Sequence, residues 1–192
     1  MTAEAEEPPD SDLLARLGGG DRDALAPLME RHYHRLYRIA LGYLRDPEEA
    51  LDAVQETFVK AFRHAPRRDG ACEAGPWLTR IAINQSIDLY RRRKRRRAAE
   101  EPLDSLLGDH DGTLRAEAPV ADRLVAGREV SERVSRALAG LGSRPRAVFV
   151  LRHYQGLTLE EIAQTLRMSL GTVKSSLHRT VHRLRAELQE LT

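Results

Sequence analysis

The chain has 192 residues, 41% hydrophobic and 31% charged, enough for one or two small bodies with a buried core. A single cysteine, Cys72, excludes an internal disulfide framework, and no apolar run approaches the ~20 residues of a membrane-spanning helix. The formal charge of +2 averages very unequal segments: residues 1–12 hold five acids and no base, residues 13–97 hold 18 bases and 11 acids, residues 98–127 hold two and seven, and residues 128–192 hold 11 and six. Two basic lobes parted by an acidic strip are therefore the informative feature of the charge.

Sustained apolar alternation is absent, so the expected fold class is all-α. The N-terminus, MTAEAEEPPDSD, is acidic, the reverse of a secretory signal, and the expectation is a soluble cytoplasmic protein. Residues 11–17 predict a short helix opened by Ser11 or Asp12 and closed by Gly18-Gly19-Gly20. Residues 21–44 predict a longer one, with Leu25, Leu28, Met29, Leu36, Ile39, Ala40 and Tyr43 near helical spacing. Asp46-Pro47-Glu48-Glu49 then reads as a cap, a first-turn proline and two acids at the positive end of the dipole. The helix it opens runs to about His64, with Ala50, Leu51, Val54, Phe58, Ala61 and Phe62 as its apolar stripe.

Residues 65–76, APRRDGACEAGP, predict a loop. A further helix over 77–97 buries Trp77, Leu78, Ile81, Ala82 and Leu89 and ends in RRRKRRR. Residues 98–127 lack a period, carry Pro102 and Pro119, and read as an acidic linker. Helical pattern resumes from Arg128, and Ser143 is expected to cap a helix from about Arg144 to Tyr154 that stops at Gly156.

Residues 158–185 carry the sharpest signal. Thr158-Leu159-Glu160-Glu161 is a capping box, and Leu159, Ile162, Ala163 and Leu166 give its helix one apolar face. Arg167-Met168-Ser169 makes a turn, with Arg167 where glycine is usual, and Ser169 is expected to cap the next helix. In that helix Val173, Leu177, Val181, Leu184 and Leu188 form the buried stripe, while Thr172, Lys174, Ser175, His178, Arg179, His182 and Arg183 face away. Such a split is what a DNA recognition helix needs. The plain alternative is an amphipathic hairpin with a solvated basic face.

In the basic helix, Asn84, Asp88, Arg91 and Arg95 share a face. Seven consecutive bases cannot all point one way, so the run reads as a general phosphate trap whose contacts release counterions. The alternative is a solvated helix end favoured by the dipole. His178 and His182 stand at i, i+4, yet no third ligand or zinc-hydrolase frame accompanies them, so no metal is expected. No phosphate-cradling glycine loop and no catalytic pair is present, and neither enzymatic activity nor a cofactor is expected.

These pieces together resemble the extracytoplasmic-function group of bacterial RNA polymerase sigma factors, across nearly the whole chain. DPEEALDAVQETFVKAF is similar to the group's core-polymerase-binding helix, PWLTRIAINQSIDLYRRRKRR to its −10 helix, and YQGLTLEEIAQTLRMSLGTVKSSLHRTVHRLR to its −35 helix-turn-helix. The resemblance implies a disordered acidic N-terminus over residues 1–10, sigma domain 2 over 11–97, a linker over 98–127 and sigma domain 4 over 128–192. It further implies that Asp52, Gln55 and Glu56 bind core RNA polymerase. Arg67, Arg68, Asn84, Asp88, Arg91, Arg92 and Arg95 would contact the −10 region, and Thr172, Lys174, Ser175, His178 and Arg179 the −35 element. The group commonly has a base where this chain has Ser176, which implies one phosphate contact fewer. The implied activity is to direct polymerase to promoters and help melt them, under an anti-sigma factor. The linker's acids would mimic nucleic acid in the polymerase channel, or serve only as a tether.

Two rival readings remain from the residues. A stand-alone helix-turn-helix regulator would use residues 46–62 as scaffold only and bind duplex DNA tightly by itself. A helical nuclease or modifying enzyme would need a metal or catalytic pair. Finally, the sequence leaves open whether the two domains pack together in the isolated chain; the charge alternation motivates the hypothesis of a compact form with the acidic linker or N-terminus over a basic face.

Overall fold

The computed structural model describes residues 8–65, 73–100, 134, 137–138 and 140–189, and every regular element among them is helical. The elements in order are α1 (Asp10–Gly18), a 3-10 turn (Arg22–Ala24), α2 (Leu25–Leu44), α3 (Pro47–His64), α4 (Ala74–Glu100), α5 (Ser143–Gln155), α6 (Leu159–Leu166) and α7 (Leu170–Gln189). The linker beyond residue 100, like Arg67 and Arg68, lies outside the described residues.

Helices α2, α3 and α4 pack on one another around Leu28, Leu36, Ile39, Tyr43, Val54, Phe58, Trp77, Leu78 and Ile83, all buried. On α3 the inward positions include Ala50, Ala53 and Ala61, small residues that let its backbone approach the neighbouring helices. Buried Thr57 and Ser86 satisfy their hydroxyls by donating to the carbonyls one turn back, Ala53 at 2.6 Å and Ala82 at 2.9 Å. The α2–α3 turn is only two residues long. Arg45 takes a left-handed conformation (φ 60°), and Asp46 accepts from the amides of Glu48 and Glu49, both at 3.0 Å. The expected cap and Pro47 start are both present.

Helix α1 begins earlier than expected, at Asp10 after Pro9, and neither Ser11 nor Asp12 caps it. Asp10 instead reaches α2, where it meets Arg31 Nη1 at 2.9 Å and His32 Nε2 at 2.6 Å. The expected α2 start at Asp21 is interrupted, because Asp21 caps the short 3-10 turn before α2 proper begins at Leu25. Similarly, Ala74–Pro76 belong to α4 rather than to the loop before it.

In the C-terminal part, α5 is opened by Gly142 with no side-chain cap, so Ser143 is not the cap. Its hydroxyl is used elsewhere, as described below. Gly156 (φ 68°) closes α5. The capping box on α6 is complete: the Thr158 hydroxyl accepts from the Glu161 amide, and Glu161 accepts from the Thr158 amide at 2.7 Å. Arg167 ends α6 in the left-handed region (φ 52°), the conformation for which glycine is the usual residue. Ser169 caps α7, accepting from the Thr172 amide at 3.1 Å.

The two parts are packed together. Helix α5 lies on α2 and α4, and α6 also lies on α4, so that Val148, Leu151, Ile162 and Val173 join the same apolar cluster as the α2–α4 core. Arg146 of α5 is only 2% exposed. Its guanidinium stands over two tyrosine rings, Tyr43 of α2 at 5.0 Å and Tyr90 of α4 at 4.5 Å. The Tyr43 hydroxyl donates to the Ser143 carbonyl (3.1 Å), and Arg91 donates to the Ser143 hydroxyl (2.8 Å). Tyr154 lies over Gly42, where an added Cβ would stand 3.3 Å from its Cγ, and its hydroxyl accepts from Arg45 at 3.2 Å. The charge alternation raises the hypothesis of a compact form held by an acidic segment over a basic face; among the described residues an arginine–tyrosine stack and apolar contacts hold the two parts together. Acidic Asp10, near the N-terminus, ties α1 to α2 instead.

Two outcomes follow from this packing. Thr158→Ala removes the hydroxyl half of the capping box, leaving the backbone amide of residue 158 on the Glu161 carboxylate, and is expected to cost about 1 kcal/mol, read from urea unfolding. Burial raises the Asp10 carboxyl pKa, but hydrogen bonds from Arg31 and His32 outweigh it and hold the group below its usual 3.8. Its stabilisation is therefore present above that value and fades as the pH falls below it. Asp10→Asn should be the less stable protein at neutral pH, and the gap should close below about pH 4.

Candidate functional site

Three outward faces carry the residues singled out by the sequence. On α3, Asp52 and Gln55 are exposed and Glu56 is half-buried, on the side away from α2 and α4. Leu51, expected in the buried stripe, is 38% exposed, and Val59 is 39% exposed. Ala53 and Thr57 take the inward places instead. Leu51, Gln55 and Val59 thus form an i, i+4, i+8 row beside the acids, giving a mixed apolar and acidic strip suited to a basic protein partner. The combination of apolar residues and acids was in the sequence. What hid it was the assumption that every apolar residue at near-helical spacing turns inward.

On α4, Asn84, Asp88, Arg91, Arg92 and Arg95 are all exposed, and Asn84, Asp88, Arg91 and Arg95 share one face as expected. The basic run is not uniform, however. Arg93 is half-buried, pairing with Glu49 at 2.7 Å and donating to the Leu44 carbonyl at 3.1 Å, with its guanidinium 5.6 Å from the Tyr90 ring centre. Arg93 therefore fastens α4 to the start of α3, and the run is an exposed basic surface with one structural member. The helix period could have identified this residue: Arg93 lies three residues beyond Tyr90 and four beyond Leu89, on the side that faces the core. Arg67 and Arg68 lie outside the described residues.

On α7, Thr172, Lys174, Ser175, His178, Arg179, His182 and Arg183 are exposed, while Val173, Ser176, Thr180 and Leu184 are buried. The amphipathic split read from the sequence is present, with two small hydroxyl residues on the inner face. Ser176 is 3% exposed and points inward, so it is not a position vacated on the phosphate-facing surface. Arg183 is turned back to donate to the Gly140 carbonyl at 3.0 Å. Beside the exposed face, Leu159, Leu177 and Val181 floor an open cleft of about 350 Å³ rimmed by Lys174, His178, His182 and Arg185. Hydrogen bonds from the Thr158 amide and hydroxyl hold the Glu161 carboxyl below the usual range, keeping it charged where the α6 N-terminus needs an acceptor. The arrangement presents cations and neutral donors outward, with no carboxylate on the exposed face of α7 over residues 172–183. It is able to bind a polyanion and to read donors and acceptors in a groove.

The sequence matches the Sigma-70 region 2 family model over residues 28–96 and the Sigma-70, region 4 model over residues 137–186. It is 30% identical to the ECF RNA polymerase sigma factor SigW of Bacillus subtilis, across 90% of this chain and 92% of that protein. Identity to the ECF RNA polymerase sigma factor SigM of Mycobacterium tuberculosis is 37%, across 91% and 82%. Among solved structures, CnrH in complex with the cytosolic domain of CnrY aligns with a TM-score of 0.67 at 26% identity, covering 95% of this chain and 99% of that one. The sigma factor RpoE in complex with the anti-sigma factor NepR from Bartonella quintana aligns with a TM-score of 0.60 at 22% identity, covering 84% and 94%, a likeness of fold. The chain belongs to the extracytoplasmic-function (ECF) family of RNA polymerase sigma factors.

Proposed function

We propose that this chain is an alternative sigma factor that binds core RNA polymerase, directs it to a set of promoters and helps open them. The observation that supports this best is the division of α7, with Thr172, Lys174, Ser175, His178 and Arg179 outward and Val173, Ser176, Thr180 and Leu184 buried. A helix seated in this way presents these side chains outward to the major groove of a −35 element, where base edges and phosphates would replace the local bonds that Thr172, Ser175 and Arg179 now make along the helix.

The same reading assigns sigma domain 2 to residues 11–97, a linker to 98–127 and sigma domain 4 to 128–192. In domain 2 the α3 strip meets the polymerase, with Asp52, Gln55 and Glu56 as polar contacts and Leu51 and Val59 as apolar ones. Asn84, Asp88, Arg91, Arg92 and Arg95 on α4 face the −10 region, joined by Arg67 and Arg68 from the preceding loop. Holding an extruded base there costs a few kcal/mol of unstacking, which favours promoters with easily unstacked steps. The protein acts in the cytoplasm and is no catalyst itself; the polymerase supplies the chemistry. An anti-sigma factor is its expected regulator, as two solved neighbours are complexes with CnrY and with the anti-sigma factor NepR.

The Asp52→Arg, Glu56→Arg double variant should lose co-purification with core polymerase while keeping the wild-type helical circular dichroism. Retention at the wild-type level would remove Asp52 and Glu56 from the polymerase-contacting set, and failure of both proteins to bind polymerase would favour a stand-alone regulator. Lys174→Ala should weaken holoenzyme binding to duplexes with and without the preferred −35 sequence about equally, and lower the slope of log K against log salt by about 1. An unchanged slope would remove Lys174 from the phosphate-contacting set.

A further inference from the structure

We propose that Arg93 is a positioning residue for promoter engagement: its bridge to the α2–α3 turn sets the angle at which α4 presents the −10 face once α3 has seated on the polymerase. This inference deepens the sigma-factor reading and rests on it, whereas the bridge itself is a matter of geometry alone. Arg93 stands in the middle of a run of seven bases, where every other residue from Arg91 to Arg96 is exposed. Its guanidinium joins three helices. Nη1 meets Glu49, in the first turn of α3, at 2.7 Å, and Nη2 donates to the carbonyl of Leu44, the last residue of α2, at 3.1 Å.

Both acceptors suit a cation. The Leu44 carbonyl belongs to the negative end of the α2 dipole, where the last carbonyls have no partner within the helix. The Glu49 carboxylate is 24% exposed and the Arg93 side chain 13%, so the pair is screened less than a surface contact. A guanidinium offers its donors in a fixed plane and can hold two acceptors at a set angle, which an ammonium on a flexible stem does not. The Tyr90 ring, 5.6 Å away and three residues earlier on α4, limits what freedom is left.

The bridge lies one helical turn from each working face. Glu49, Asp52 and Glu56 follow at i, i+3 and i+7, so the bridge takes the first member of the acidic row that runs along α3. Asp52 is three residues from it, about 4.5 Å along the axis. On α4, Arg91, Arg92 and Arg95 stand within two residues of Arg93. Contacts to bases and phosphates tolerate a misplacement of about 0.5 Å. Slackening the turn therefore loses promoter contacts while leaving the polymerase acids in place.

A direct phosphate contact by Arg93 is the rival role, and the sign of one substitution separates the two. Glu49→Gln removes a negative charge beside the basic run, so charge alone would tighten promoter binding, whereas loss of the bridge weakens it. The test uses the full chain with purified core polymerase and three variants, Arg93→Ala, Glu49→Gln and the pair combined, at a temperature where each keeps the wild-type helical circular dichroism. Each should bind core polymerase within about twofold of the wild type. Each holoenzyme should bind promoter DNA more weakly and open it about tenfold less, read by permanganate reactivity of unpaired thymines. The double variant should be no worse than Arg93→Ala, because both changes remove one bridge.

Tighter promoter binding by Glu49→Gln, or losses that add in the double variant, overturns the positioning role and makes Arg93 a phosphate contact. Wild-type opening by all three variants overturns it as well. Weakened core binding by Glu49→Gln does so too, by placing Glu49 among the polymerase contacts. If the parent chain itself binds no core polymerase, the sigma-factor reading fails and the positioning role falls with it.

Discussion

A positive charge laid over two adjoining aromatic rings organises this molecule. Taking a guanidinium out of water costs several kcal/mol, and a desolvated cation–π contact returns about 2 kcal/mol per ring at best. Arg146 is therefore tolerated in its buried position because the adjacent Tyr43 and Tyr90 rings both lie against it and the surrounding leucines and valines bury apolar area at the same time. The constraint runs outward from there. Tyr43 must sit at the end of α2 and Tyr90 just before the basic run of α4, which fixes where those helices end relative to each other. The desolvated Tyr43 hydroxyl, its pKa raised by burial, then finds its acceptor on the Ser143 carbonyl at the first turn of α5.

A second coupling lies within the first four helices. The Arg93 bridge to Glu49 and the Leu44 carbonyl ties the basic end of α4 to the turn that starts α3. Helices α3 and α4 carry the two different working faces assigned here, one for a protein and one for a nucleic acid. A side chain spent on joining them makes the two faces a single rigid unit, so that a grip on one sets the orientation of the other.

Much of this was legible in the sequence, for reasons that can be named residue by residue. Asp46-Pro47 and Thr158–Glu161 carry their meaning locally, because a cap depends on three or four neighbours and nothing else, and both stand in the structure as read. The period of α7 separated its inner and outer faces, apart from Ser176 and Thr180, whose small size lets them fill tight inner sites despite their hydroxyls. Arg167 was legible as a strained turn from the missing glycine alone. What local reasoning missed is long-range. Ser143 has the chemistry of a cap, but its hydroxyl serves Arg91, 52 residues away. Arg146 sits in a sequence, SRPRAVF, that reads as the exposed first turn of a helix; only partners more than fifty residues earlier turn it inward. Leu51 was misread in the other direction, as core, because near-helical spacing alone does not separate the edge of an apolar stripe from its centre.

Gly42 carries a consequence beyond packing. The seat for Tyr154 exists because residue 42 has no side chain, and an alanine would already press on the ring at 3.3 Å. Most single-nucleotide changes of a glycine codon introduce something larger than alanine. One base change at this codon is therefore enough to crowd the Tyr154 ring and loosen the seat of α5 on α2.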